Sequence, residues 1–211
     1  MVNILFAFGV VGMIMGSVAA IKEKNIRRMT AYSSVAQIGY IYMGIGLGTT
    51  AGVVAALFHI ISHGAMKSLL FISISVSDGR SDYLSLRGAG LRNKVAGAAF
   101  TVGSLSMIGM PLLTGFVSKY LFAAAATTAG SKMITAWVVL AISTVLNTMY
   151  FMRTVLTLYR PVPEETHKAY TVEKSRIETA AIIGMILLNI GLGVASQPVI
   201  KVIEAGLAMF G

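Results

Sequence analysis

Cysteine is absent from the 211 residues, so the chain offers no thiolate for an iron–sulfur cluster or zinc and no disulfide framework. Any electron-carrying chemistry must sit in another chain, and no cofactor is expected in this one. Charge is scarce, at 12% of residues, and acid scarcer still, with 8 Asp and Glu against 17 Lys and Arg. None of the eight acids lies in the middle of an apolar run, so no carboxylate cage for a metal or for sodium is expected inside one.

Hydrophobic residues make up 56% of the chain, and its mean hydropathy is +0.79. Apolar runs fall at about 3–20, 29–47, 51–76, 95–128, 133–159 and 177–196. A hydrocarbon core takes about 20 apolar residues per helix, so the composition predicts an all-α, polytopic membrane bundle of about six spans. The first run imitates a secretory signal, but its basic residues follow the apolar stretch instead of preceding it. It is expected to stay as the first span.

A formal charge of +9 would suit nucleic acid, yet the basic residues gather in short loops. Lys22, Lys24, Arg27 and Arg28 follow the first run; Arg80, Arg87, Arg92 and Lys94 the third; Arg160, Lys168, Lys174 and Arg176 the fifth. This asymmetry is a topology signal that places those loops in the cytoplasm, with the bilayer and not nucleic acid as partner. For the second and third groups to share a side, run 95–128 must make one net crossing. Its 34 residues are too many for one simple span. Pro111 removes a helix hydrogen bond, and Gly109 and Gly115 loosen the backbone around it, which predicts one interrupted helix. Both termini then lie on the outer side of the cell membrane. Broken backbone at membrane depth persists only where it is buried in protein or lines a hydrated cavity. A Pro kink that merely improves packing is the plain alternative.

The stretch "ALFHIISHGAMKSLLF" sets His59, His63 and Lys67 four residues apart. On a helix each step turns about 40° and rises about 6 Å, so the three form one stripe about 12 Å long. Imidazole accepts a proton at one nitrogen and donates from the other, which suits a relay. A buried lysine suits proton storage, because burial favours the neutral amine. Packing histidines are the alternative, and His-x3-His has no third ligand in any apolar run to complete a metal site. Lys119 lies about 15 Å along the helix from the following uncharged loop, too far to snorkel comfortably, whereas Arg153 is close enough to a basic loop to do so. Ser33, Ser34 and Gln37 on the second run could order water or bond between helices.

Three segments in order, "NIRRMTAYSSVAQIGYIYMGIG", "ALFHIISHGAMKSLLF" and "GMPLLTGFVSKYLF", resemble the antiporter-like subunits of respiratory complex I, membrane-bound hydrogenases and multisubunit sodium/proton antiporters. The resemblance covers nearly the whole chain and is weakest after about residue 160. It implies that Lys67 is the family's central lysine, His59 and His63 its paired histidines, and Lys119 the terminal lysine of its second broken helix. Arg27 matches a position that is often lysine, and arginine stays protonated there. Family members have two inverted five-helix repeats. The resemblance therefore implies one transmembrane domain over 1–211, with a repeat at about 3–160 and an added helix and tail at about 161–211. It also implies a partner chain carrying the N-terminal antiporter-like half, other membrane-arm subunits, and a redox or hydrogenase module in neighbouring subunits. The expected activity is proton or sodium/proton translocation; a structural subunit that moves no ions is the alternative. Two ammonium groups about 10 Å apart at an effective dielectric near 20 repel by about 1.7 kcal/mol. One charge crossing about 100 mV requires about 2.3 kcal/mol, so the driving energy is expected from partners.

Overall fold

The computed structural model describes residues 1–75, 81–161 and 176–209. Arg80, Lys168 and Lys174, counted above among the loop charges, lie outside them. The protein is an all-helical, polytopic membrane bundle. α1 spans Val2–Lys22, α2 Ile26–Gly46, α3 Thr50–Ser75, α4 Ala89–Arg92, α5 Lys94–Ile108, α6 Thr114–Thr127, α7 Met133–Leu158, α8 Arg176–Val194 and α9 Ser196–Ala208. Among the described residues, four helices are long and apolar enough to cross a membrane: α1, α3, α7 and α8. α2, with 21 residues, is long enough but more polar, and α5 with α6 makes the sixth.

Hydrophobic burial does not drive helices together in lipid, so small residues that allow close approach matter more. α1 and α2 form an antiparallel pair on this basis. A Cβ at Gly9 would collide with Met43 backbone, one at Gly16 with Ala36 backbone, and one at Gly39 with Met13 backbone. Asn25 starts α2 by accepting hydrogen bonds from the Arg27 and Arg28 amides at 3.0 and 3.2 Å. Asn93 starts α5 by accepting from Ala96 N at 3.1 Å. Both satisfy orphan donors of a first turn.

The interrupted span is present, and its contacts along α3 give its direction. Val95, Ala99 and Val102 cluster with Leu69 and Ile72, Gly103 abuts Leu70, and Gly115 abuts Met66. Thr114 pairs with Ser62 at 2.8 Å, Ser118 with His59 at 2.5 Å, and Val117 and Leu121 cluster with Val54 and Phe58. As the chain advances from 95 to 121 its partners on α3 retreat steadily from 72 to 54. α5 and α6 together therefore make one net passage antiparallel to α3.

The break runs from 109 to 113. Gly109 takes φ 98°, with Met110 N bonded to Leu105 O at 2.9 Å and Gly109 N to Ser106 O at 3.0 Å, the Schellman termination that favours glycine. Leu112 is also left-handed, with φ 72°, a conformation costing a residue with a Cβ about 1–2 kcal/mol. Gly115 differs from the expectation: it does not loosen the backbone but lies inside α6, where a Cβ would overlap the Ser106 carbonyl. Its role is close approach.

Two elements were not foreseen. α4 is a single turn before the Asn93 cap. α9 follows α8 after Ala195, where one run ending near 196 was expected, and lays Val199, Ile200, Ile203 and Leu207 on Val54 and Phe58 of α3 and Val117 and Leu121 of α6. The described basic loops converge at one end. Ser81 binds Asn25 through its hydroxyl at 2.7 Å and through its carbonyl to Ile26 N at 2.7 Å, and Gly90 and Gly97 pack on Tyr159. At the other end Lys132 donates to Gly46 O at 2.7 Å.

Candidate functional site

The α3 stripe forms as its spacing predicts. The rings of His59 and His63 stack with centroids 5.9 Å apart and planes 5° from parallel. α6 meets this stripe with one of its own, Thr114, Ser118 and Phe122, also at intervals of four. Ser118 Oγ lies 2.5 Å from His59 Nδ1, and the Phe122 ring meets His59 edge-on at 5.4 Å. Tyr40 of α2 stacks on His59 at 5.5 Å and packs on Phe122 at 5.7 Å.

Lys67 is 6% exposed. Its ammonium donates to the Thr30 carbonyl oxygen and the Ser33 hydroxyl of α2, and Ser33 Oγ itself donates to Thr30 O at 2.8 Å. A lysine buried this deeply is held by hydrogen bonds and no described carboxylate. Lys119 is partly buried and turns back towards the break instead of out to an interface. Its Nζ donates to Ile108 O at 2.7 Å and Thr144 Oγ1 at 3.0 Å. Ile108 O belongs to the last turn of α5, where unpaired carbonyls give a helix its negative end. The break thus supplies the acceptor that an unbroken helix would have used internally.

The supporting residues separate into two groups. Gln37 is buried, its backbone carbonyl faces His59, and its Nε2 has no partner; the Nε2 atoms of His59 and His63 also have none. Buried polar atoms of this kind are the usual seats of ordered water. Ser34 is half-buried and Arg27 is exposed at the start of α2, so Arg27 does not join the buried cluster. Arg153 departs from simple snorkelling: its guanidinium donates to Ile21 O and Glu23 O, each at 2.9 Å, and stacks on Tyr83 at 4.7 Å. It closes the open end of α1. Pro111 is exposed at the break and makes no direct part of the cluster.

Sequence reasoning missed Ser118 and Thr144, which touch His59 and Lys119, the Ser62–Thr114 pair beside them, and a buried line of Ser143, Asn147 and Tyr150 on α7. The signal was there as polar residues at helical spacing inside apolar runs.

Residues 1–147 match the family described as NADH:quinone oxidoreductase/Mrp antiporter, transmembrane. The chain belongs to this family. Among curated members of the NADH:quinone oxidoreductase/Mrp antiporter family, it is 32% identical over 198 residues to NADH-quinone oxidoreductase subunit N of Desulforudis audaxviator, an alignment covering 87% of this chain and 38% of that one. It is 25% identical to a chain of the membrane-bound sulfane sulfur reductase, an archaeal respiratory membrane complex, with TM-score 0.85 over 96% of this chain and 41% of that one. A chain of the Mrp complex from Dietzia sp. shares the fold, at 20% identity and TM-score 0.84 over 96% of this chain and 46% of that one. The chain therefore spans less than half the length of these antiporter-family relatives.

Proposed function

We propose that this chain relays protons across the membrane as one antiporter-like half of a larger complex. Lys67 is the central carrier, His63 and His59 hand protons along α3, and Lys119 is the gate towards the outer side. The observation that carries this reading is a line of closely spaced groups: His63 stacks on His59 at 5.9 Å, His59 on Tyr40 at 5.5 Å, and the Lys119 ammonium lies 5.9 Å from the Tyr40 ring, with Lys67 one turn beyond His63 on α3. The unpartnered Nε2 atoms of both histidines support water as the link between them, since bridging water is nearly as good as a direct bond.

The activity extends to protons or to sodium against protons, with the driving energy from a redox or hydrogenase module or an opposing ion gradient in partner subunits. The relatives named above belong to respiratory and Mrp complexes, which supports membrane-arm neighbours. A surface bearing the other antiporter-like half completes the path, as in inverted-repeat transporters generally. Residues of about 3–160 form the repeat, 161–211 add the segment that carries α8 and α9, and both termini face outward from the cell membrane.

Lys67→Ala and Lys119→Ala should each reduce ion flux in proteoliposomes of the assembled complex to background, while the same subunits still co-purify. Flux equal to wild type in either variant rejects the role of that lysine. A retained role with no partner half among the co-purifying polypeptides rejects the proposed completion.

A further inference from the structure

α7 carries buried polar residues that the histidine relay does not use. Ser143, Asn147, Tyr150 and Thr154 recur at intervals of four, three and four, which places them on one helix face. All are at most 1% exposed. Thr154 needs no special account, since its Oγ1 donates to Tyr150 O one turn back at 2.8 Å. The two phenols that meet this face, Tyr150 of α7 and Tyr40 of α2, are different.

Tyr40, reaching across from α2, donates to Ser143 Oγ at 3.0 Å, and its hydroxyl also faces Thr144, the side chain that holds Lys119. The Lys119 ammonium is itself 5.9 Å from the Tyr40 ring centroid. Tyr150 donates to Asn147 Oδ1 at 2.5 Å, and its hydroxyl faces Ser17 of α1 and Ser33 of α2. Ser33 is the hydroxyl that holds Lys67. Each lysine is thus one hydroxyl away from a tyrosine, and the two tyrosines bond to Ser143 and Asn147, one turn apart on α7. Asn147 Nδ2, beside the pair, is buried without a partner, and a buried amide in that state marks a seat for water.

We propose that Tyr150 and Tyr40 form a second proton route between Lys67 and Lys119, independent of His59 and His63. The proposal rests on the reading of the two lysines as proton sites. In each transfer Lys67 breaks one N–H bond and Ser33 Oγ gains that proton, while its own proton turns away from Thr30 O and passes to Tyr150. Tyr150 passes its phenol proton through water at Asn147 to Tyr40, which passes one on through Thr144 to the neutral Lys119 amine. Every hydroxyl ends as it began, and Lys119 gains the proton that Lys67 loses. The titratable groups facing the pair are His59 on α3, Lys119 on α6 and, through Ser33, Lys67; no Asp or Glu occurs in α1, α2, α3, α6 or α7.

The test measures proton flux in membrane vesicles holding the assembled complex, with Tyr40→Phe, Tyr150→Phe, the double variant, Lys67→Ala as reference, and site-specific fluorotyrosine at 150. A parallel route caps the loss, so each Phe variant should lower flux about twofold to tenfold, less than the factor of about 100 or more that follows loss of a sole acid–base group. A phenol that passes protons imprints its own acidity on the pH dependence, so fluorotyrosine at 150 should restore flux and move the profile to lower pH. A phenol that only holds helices together leaves the profile in place. Wild-type flux in the double variant, or an unmoved fluorotyrosine profile, overturns the tyrosine route. If Lys67→Ala alone is inactive in that case, the lysine relay stands; wild-type flux in Lys67→Ala removes both.

Discussion

Asp82 shows how a single side chain fixes a loop on the basic end of the bundle. Its carboxylate accepts from Ser85 Oγ at 2.6 Å, Ser85 N at 2.9 Å and Leu84 N at 3.1 Å. These bonds, the Ser85 hydroxyl first, hold the Asp82 carboxyl below its ordinary range. A depressed carboxyl adds stability that is present above its unfolded pKa, near about 3.9, and lost as pH falls through the folded value. The turn at 82–85 should therefore stay protected from hydrogen exchange at neutral pH and open on strong acidification. In Asp82→Asn, protection at Leu84 and Ser85 should be weaker at neutral pH and nearly flat in acid. Equal acid sensitivity in both proteins rejects the assignment. Lys67 poses the opposite problem, an ionisable group held by a carbonyl and a hydroxyl, with the Phe71 ring 6.0 Å from its ammonium. Packing alone gives no reason to bury it there.

The broken span converts backbone geometry into a site. Gly109 ends α5 and leaves the Ile108 carbonyl open, Gly115 lets α6 start directly beside the last turn of α5, and Lys119, one turn further on, reaches that carbonyl. Gly115→Ala would set a methyl against the Ser106 carbonyl, a rigid backbone atom that cannot give way. Overpacking of this kind costs about 1–3 kcal/mol, so the purified complex should melt at lower temperature and lose flux as Lys119 shifts. Gly64→Ala is the matched control, because a Cβ there meets nothing within 4 Å. Alanine is also the better helix former, so that variant should melt no lower than wild type. If both variants melt alike, close approach at Gly115 is not what positions α6.

The basic end of the whole bundle is fastened across distant parts of the chain. Arg153 of α7 binds the last carbonyls of α1 and stacks on Tyr83, and Tyr83 OH lies 2.7 Å from Thr154 Oγ1. Arg153 and Tyr83, with Glu23, Lys24, Asp82, Leu84 and Thr157, line a cavity of about 410 Å³. Arg153→Ala removes a fork that joins three segments, at roughly 1 kcal/mol for hydrogen bonds near solvent. Limited proteolysis should then cut the 81–88 loop faster, with ion flux largely kept. Unchanged cleavage would show that Asn25 and Ser81 hold the loop without it.

Periodicity and composition were enough for the spans, the single net crossing of 95–128 and the His59–His63–Lys67 stripe, because each depends on local helix geometry and on the cost of charge in lipid. The ordered motifs sufficed for the family. Chain folding alone decided which polar groups reach the lysines: Thr30 and Ser33 for Lys67, Ile108 O and Thr144 for Lys119, Ser118 for His59. It also turned Gly115 from a loosened joint into a close contact and Arg153 from a snorkelling cation into a fastener. Such pairings join residues far apart in the chain, and a serine or threonine in an apolar run looks the same whether it bonds its own helix or a neighbour's. α9 escaped notice because Pro198, Lys201 and Glu204 interrupt its apolar residues, and only the groove between α3 and α6 gives that face something to cover.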